Sequence, residues 1–388
     1  YLRFLQVPMT KLQMTALDEY MRDVEARRAQ KAIGGSRRPR RAIVDVNETA
    51  DEVDATADAD ADANAAAYAN ADIDDAGGFP LPADGFTVYD MVFPIPQPPG
   101  VSFRSSIIRS SIDTASTAWR REAGVATVVS TGGASIYGGD WLRRDTIAQY
   151  SSKYARLLDD LDALYSRGPS KALIYHYRVE MAGAVFIAEL LRANGYIDEH
   201  GNATSSTRCV YCGKTMAEHD VAMPSVPAPS TTHSYAPIRY ILAYHSAPNL
   251  KASIERFRSA DNADGSKYAI MIGSEIIKQS YDFKCVQTLY VLSLSTSIRI
   301  LLQVFGRAIR KDSHALLPPD KRHVTIKILL QTRDDGVASP EVLRYAAKMD
   351  DHLTVQQIMR ELNAGAADAW IDRAINMSPA LMASYFPN

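Results

Sequence analysis

From about residue 150 onward, short apolar runs alternate with amphipathic stretches, and this alternation constrains the fold more than any other feature of the chain. "KALIYHY" (171–177), "IRYILAY" (238–244), "KYAIMI" (267–272), "TLYVLS" (288–293) and "HVTIKILL" (323–330) are apolar nearly throughout. A strand of that kind has to be covered on both faces. Between the runs lie sequences with helical spacing. "SSKYARLLDDLDALYSRG" offers Ser151 or Ser152 as N-cap, and Met181, Ala184, Val185, Ala188 and Leu191 recur at helical intervals. "NLKASIERF" and residues 297–311 read as two more helices. Strands alternating with helices predict an α/β fold built on a parallel sheet with helices on both faces.

Outside that region the pattern changes. Residues 1–30 read as a short extended piece followed by a helix, and 27–41 as a flexible basic stretch. The Asp/Ala tract 51–78 has almost nothing to bury, so its composition predicts disorder. A proline-rich loop runs to 100. The resulting division has a junction helix and basic linker at 1–42, a disordered acidic and Pro-rich segment at 43–100, and an irregular connector at 101–149. The α/β domain then spans 150–335 with an insert at 198–237, and a helical C-terminal extension covers 336–388. Three cysteines among 388 residues do not make a disulfide framework, which favours a reducing compartment. The longest apolar candidate, "YVLSLSTSIRILLQVF", is interrupted by Arg299, so no membrane helix is expected.

"QVFGRAIRK" (303–311) carries the chemistry. Arg307 and Arg310, three apart, could form surface ion pairs, and for an isolated pair that is the default. They could also clamp phosphate, because a guanidinium is planar, permanently charged and bidentate toward phosphate oxygens. Context favours the clamp. Gln303, Gly306, Arg307 and Arg310 match the QxxGRxxR pattern of motif VI in superfamily 2 helicases. "GSEIIKQSYDF" stands where motif V belongs, with Gly273 at its start, Asp282 as its acidic residue, and Ser280 where many relatives carry glycine. "KALIYHY" and the helix after it are similar to motif IV. The region therefore resembles the second RecA-like domain of these enzymes. It is similar in particular to the helicase-type ATPases of large DNA viruses, relatives of the poxvirus early transcription factor small subunit and nucleoside triphosphatase I.

A phosphate clamp needs a cradle opposite it. The only Gly-Lys-Thr, Gly213–Thr215, has Arg208 where the first P-loop glycine would stand, and no apolar strand leads into it. The cradle and the Mg²⁺ ligands are thus expected in a first RecA-like domain of the same polypeptide, with this chain an N-terminally truncated piece that is inactive alone. "RCVYCGKTMAEHD" has another reading. Cys209 and Cys212 are spaced as in a zinc knuckle, and His219 and His233 complete a set suited to tetrahedral Zn²⁺. The plainer reading is two surface thiols and unrelated histidines in a loop. His200 is a substitute ligand, and Cys285 is expected to be buried and inert.

The resemblance implies an ATP-dependent helicase or translocase in viral transcription, with Arg307 and Arg310 as catalytic arginine fingers. Gln303, Gly306, Asp282 and Gly273 would bind ATP or couple its hydrolysis. The implied cofactors are ATP with Mg²⁺ and a structural Zn²⁺. The implied partners are the DNA or RNA backbone and an RNA polymerase or transcription factor subunit, in the virion or a cytoplasmic viral factory. The alternative is a non-catalytic, zinc-bearing module that binds nucleic acid or polymerase through a degenerate RecA core.

Overall fold

The computed structural model describes residues 2–18, 21–22, 26, 87–92, 126–129, 135–138, 140–179, 182–220, 233–244, 247, 249–274, 277, 281–294 and 297–365. The basic stretch 27–41, the Asp/Ala tract 51–78, Ser280 and residues 366–388 lie outside the described residues.

Seven strands form one sheet, all parallel: β1 (Leu2–Pro8), β2 (Lys171–Tyr175), β3 (Ile197–Asp198), β4 (Arg239–Ala243), β5 (Ile270–Gly273), β6 (Val286–Val291) and β7 (Thr325–Thr332). Their order is β1-β7-β6-β2-β5-β4-β3. Five helices matter for the site: α1 (Ser152–Tyr165), α2 (Ala184–Ala193), α3 (Leu250–Arg258), α4 (Ile298–Ala308) and α5 (Pro340–Gly365). Ser151 caps α1 by accepting from the Tyr154 N–H, and Ser297 caps α4 by accepting from Ile300.

Alternate strand residues enter two separate cores, as a sheet covered on both faces requires. Ala172, Ile174, Ile270, Ile272 and Tyr290 pack with Leu157 and Leu161 of α1 and Phe186 and Leu190 of α2. Leu173, Tyr175, Met271, Leu289 and Val291 pack on the other side with Phe257 of α3 and Leu301 and Val304 of α4. Tyr345 and Met349 of α5 lean on that second core.

Two differences from the sequence reading concern where the domain begins. Leu2–Pro8, assigned above to a junction, is an edge strand paired with β7 from Leu2↔Ile326 to Pro8↔Thr332. Residues 87–92, assigned to a Pro-rich loop, place Tyr89, Asp90, Met91 and Val92 in buried positions. Neither shows in a window of local sequence, because each gains its burial from partners far along the chain. In the connector, 126–129 and 135–138 form a separate two-stranded antiparallel ribbon.

Candidate functional site

Helix α4 is amphipathic, and its two faces have different occupations. Ile298, Leu301, Val304 and Ala308 are buried. Gln303, Gly306 and Arg307 follow one another at helical steps of three and one residues on the opposite side, and Arg310 lies two residues past Ala308, the last residue of the helix. Gln303 and Arg310 are exposed, while Gly306 and Arg307 are half-covered. A Cβ added at Gly306 would meet nothing within 4 Å. Both arginines turn to the same carboxylate. Arg310 pairs with one oxygen of Asp282, and Arg307 Nη1 lies 3.8 Å from the other. The Phe283 N–H donates to the Arg307 carbonyl over 3.1 Å, which ties the segment bearing Asp282 to the end of the helix. Two guanidinium groups share one carboxylate, so the group of three keeps one net positive charge.

Tyr175 pairs with Gly273 on one side and with Val291 on the other, which sets Gly273 at the carboxyl edge. Asp282 precedes β6 and sits at the amino edge, where α4, running back along the strands, delivers Arg307 and Arg310. Gly273 and Asp282 therefore stand at opposite edges of the sheet. Gly273 is buried, and a Cβ there would come within 2.4 Å of Ile277 Cδ1. Its small size serves packing in this domain.

The four proposed metal ligands do come together. Cys209, Cys212, His219 and His233 present donor atoms that all lie within 4.8 Å of one another. Cys209 Sγ is 3.6 Å from His233 Nε2, and the two Nε2 atoms of His219 and His233 are 3.3 Å apart. Cys209 is buried and the other three half-buried. His200 is exposed beside Glu199 and stands outside this set. The Gly-Lys-Thr sequence forms the return of the hairpin, with an Arg208↔Thr215 bridge and the Gly213 N–H donating to the Cys209 carbonyl. Cys285 is buried, as expected, and its N–H donates to the Ser313 carbonyl.

Sequence reasoning missed a cluster of buried charges at the carboxyl edge. Lys153 Nζ donates to Asp90 Oδ1 (3.0 Å), Glu341 Oε1 (2.9 Å) and the Leu292 carbonyl (2.8 Å). His176 Nε2 lies 3.1 Å from Asp90 Oδ2, and the Gln331 N–H donates to Glu341 Oε2. Burial alone would raise the Asp90 carboxyl, but Lys153 and His176 beside it bring it below its ordinary value. Burial wins at Glu341, which is raised despite Lys153. An apparent surface lysine on a helix gives no sequence signal of such a role.

A fully parallel sheet covered on both faces is the architecture of a RecA-like domain. Sequence comparison places the chain more narrowly. It is 31% identical over 309 residues to the protein named early transcription factor large subunit homolog of African swine fever virus (strain Badajoz 1971 Vero-adapted), covering 76% of this chain and 26% of that protein. It is 22% identical to a protein named as a candidate ATP-dependent RNA helicase of Acanthamoeba polyphaga mimivirus, over 65% of this chain and 23% of that one. A similarly named helicase of invertebrate iridescent virus 3 matches at 23% identity over 60% and 22%. The chain is a relative of the helicase-type proteins of large DNA viruses, and it spans about a quarter of the length of the curated relatives it matches. The class is the one the motifs point to; the subunit named is the large one. No family model matches the sequence.

Proposed function

We propose that this chain is the C-terminal half of an ATP-dependent nucleic-acid helicase or translocase acting in viral transcription. In this reading Arg307 and Arg310 face ATP·Mg²⁺ held by a first RecA-like domain of the same polypeptide. One observation carries it: Gln303, Gly306 and Arg307 share the accessible face of α4, Arg310 follows just past its end, and both arginines turn to one aspartate. Arg310 is 55% exposed and Arg307 19%, so both can reach a ligand without unfolding the helix. Leu302 and Ile309, 47% and 54% exposed, flank the arginines on the same side. Apolar side chains beside charged ones suit a surface that closes on another surface.

The bound nucleotide would supply the reactive γ-phosphoryl group and its Mg²⁺. This chain's part is electrostatic. Charge builds on the equatorial oxygens during transfer, and guanidinium groups aimed there stabilise it, by roughly 10³–10⁵ in rate for an arginine finger. Asp282 would hold the two side chains parallel until an anion competes for them. Nucleic acid would be gripped by its phosphate backbone, so binding should weaken with salt and show little base preference. A polymerase or transcription factor subunit is the natural protein partner of a transcription helicase, and the virion or cytoplasmic factory its place. The Cys₂His₂ set would hold a structural Zn²⁺, since its donor types and spacing suit that ion.

The test is steady-state ATPase activity of the full-length protein with Arg310→Ala and Arg310→Lys. Both should lose turnover while keeping nucleotide-free nucleic-acid binding, with lysine a poor rescue because a point charge lacks the planar fork. Near-normal turnover in Arg310→Ala would overturn the assignment. The second reading is a non-catalytic, zinc-bearing module that binds nucleic acid or polymerase. It is favoured by the pairing of both arginines with Asp282, which is what a purely structural pair would also do.

A further inference from the structure

The insert between β3 and β4 holds ligands on separate pieces of chain. Cys209 and Cys212 lie on the hairpin, His219 on the helical turn Met216–Asp220, and His233 beyond residues 221–232. Zinc bonds of about 2.3 Å to sulfur and about 2.0–2.1 Å to nitrogen give tetrahedral edges of roughly 3.6 Å between S and N and roughly 3.3 Å between N and N. The observed separations are 3.6 and 3.3 Å. Two thiolates and two imidazoles select Zn²⁺ over the oxygen-seeking Ca²⁺ and Mg²⁺. Four protein donors leave no position for water, so the ion would not be catalytic.

We propose that this site is a zinc clasp that locks the ends of α1 and α2 to the β3–β4 edge of the sheet. The proposal rests on the metal reading above and adds what the metal holds. Arg208, next to the first ligand, connects the hairpin to both helices. Its Nε donates to the Asn194 carbonyl just past α2 (3.1 Å), its Nη1 to the Gly213 carbonyl (3.1 Å), and its Nη2 lies 3.5 Å from Asp162 of α1. Gly213 has φ +71°, and a Cβ there would stand 3.4 Å from the Ser166 nitrogen at the end of α1. The backbone continues the connection: the Arg208 N–H donates to Gly195, Val210 to Ala236 and Ile238 to Arg208. Val210, Tyr196 and Ile238 are buried in the α1–α2 core. Fixing Cys209 and Cys212 against His219 and His233 therefore fixes this whole corner. It lies three strands from β6 and its arginine-bearing helix, so the ion sets shape and takes no part in phosphate chemistry.

The experiment uses the whole 388-residue chain. Elemental analysis should give about one Zn²⁺ per chain. Co²⁺ substitution should give the visible bands of a tetrahedral site and a thiolate-to-metal charge-transfer band. Hydrogen exchange is then followed with and without metal. Stripping the metal should speed exchange at Arg208, Cys209, Gly213 and the last turn of α1 at least about tenfold, while amides of β2, β5 and β6 stay unchanged. Arg208→Met should keep the Co²⁺ spectrum yet show the same acceleration in the last turn of α1. Absence of metal, or a Co²⁺ spectrum without the thiolate band, overturns the metal reading and the clasp together. Bound metal whose removal leaves the corner's exchange unchanged overturns the clasp alone. So does an Arg208→Met protein whose α1 end exchanges like the parent.

Discussion

Arg310 rests its guanidinium on the carboxylate of Asp282, twenty-eight residues earlier in the chain. The pair sits at the amino edge of the sheet, with Arg310 more than half exposed and Asp282 28% exposed. Exposed pairs of this kind add little to stability, on the order of 0–1 kcal/mol. The contact matters for orientation. In the full-length protein, Asp282→Asn should reduce ATPase turnover by at most about 10²-fold, the scale of a misplaced group. Removing either arginine should cost about 10³-fold or more. An Asp282→Asn loss as deep as that of the arginine variants would mean that the aspartate itself touches the reacting groups.

Gly306 separates fold from function with unusual clarity. It lies inside α4, where glycine is unfavourable by roughly 0.5–1 kcal/mol against alanine. Nothing within 4 Å would oppose a methyl group. Gly306→Ala should therefore stabilise the isolated chain by about 0.5–1 kcal/mol in urea denaturation. The same change should lower turnover of the full-length protein if a second surface closes against this face. Unchanged turnover would remove close approach as the reason for glycine.

Lys153 should be among the most sensitive positions for stability. Lys153→Met leaves Asp90 and Glu341 buried without their cation, a loss of about 3–5 kcal/mol. Neutralising both acids as well, with Asp90→Asn and Glu341→Gln, should recover much of it. Chemical denaturation of the three proteins measures this, and a Lys153→Met cost below about 1 kcal/mol would refute the role given to the cluster.

Lys171 gives a pH test. Its Nζ donates to the carbonyls of Phe257 and Lys284 inside the second core, and burial lowers its pKa to about 8. Because the folded value lies below the unfolded 10.5, the unfolded chain binds more protons between the two. Stability should therefore rise with pH across that window on account of this group. The difference in stability between the parent and Lys171→Met should change in that sense from pH 8 upward. A difference that is flat with pH would show that the lysine titrates alike in both states.

The parts of this molecule that were legible in sequence share one property: their signal is local. β2, β4, β5, β6 and β7 announce themselves as apolar runs, and α4 with the two residues after it carries the motif. The two cysteines and two histidines can be grouped by spacing alone. What stayed hidden depends on pairings between distant segments. β1 reads as a short extended piece because its seven pairs are with residues 326–332. Lys153 looks like the solvated side of an amphipathic helix until Asp90 and Glu341 are brought to it. Gly273 and Asp282 are only nine residues apart in sequence, and nothing local reveals that they stand at opposite edges of the sheet.

The position of β1 bears on how the molecule is made. Leu2 leaves the ribosome more than three hundred residues before Ile326, its partner in the register. The outermost strand must wait for more than three hundred further residues, because β7 is the one strand it pairs with. Pairings of such long range are slow and leave apolar segments open in the meantime. A fragment cut to begin at the apparent domain start near 150 would never receive that strand. Its Thr325–Thr332 edge would be bare, with unpaired amides and carbonyls along an apolar strand, and such an edge recruits other chains. Residues 2–8 cover that strand and themselves become the sheet's outer edge.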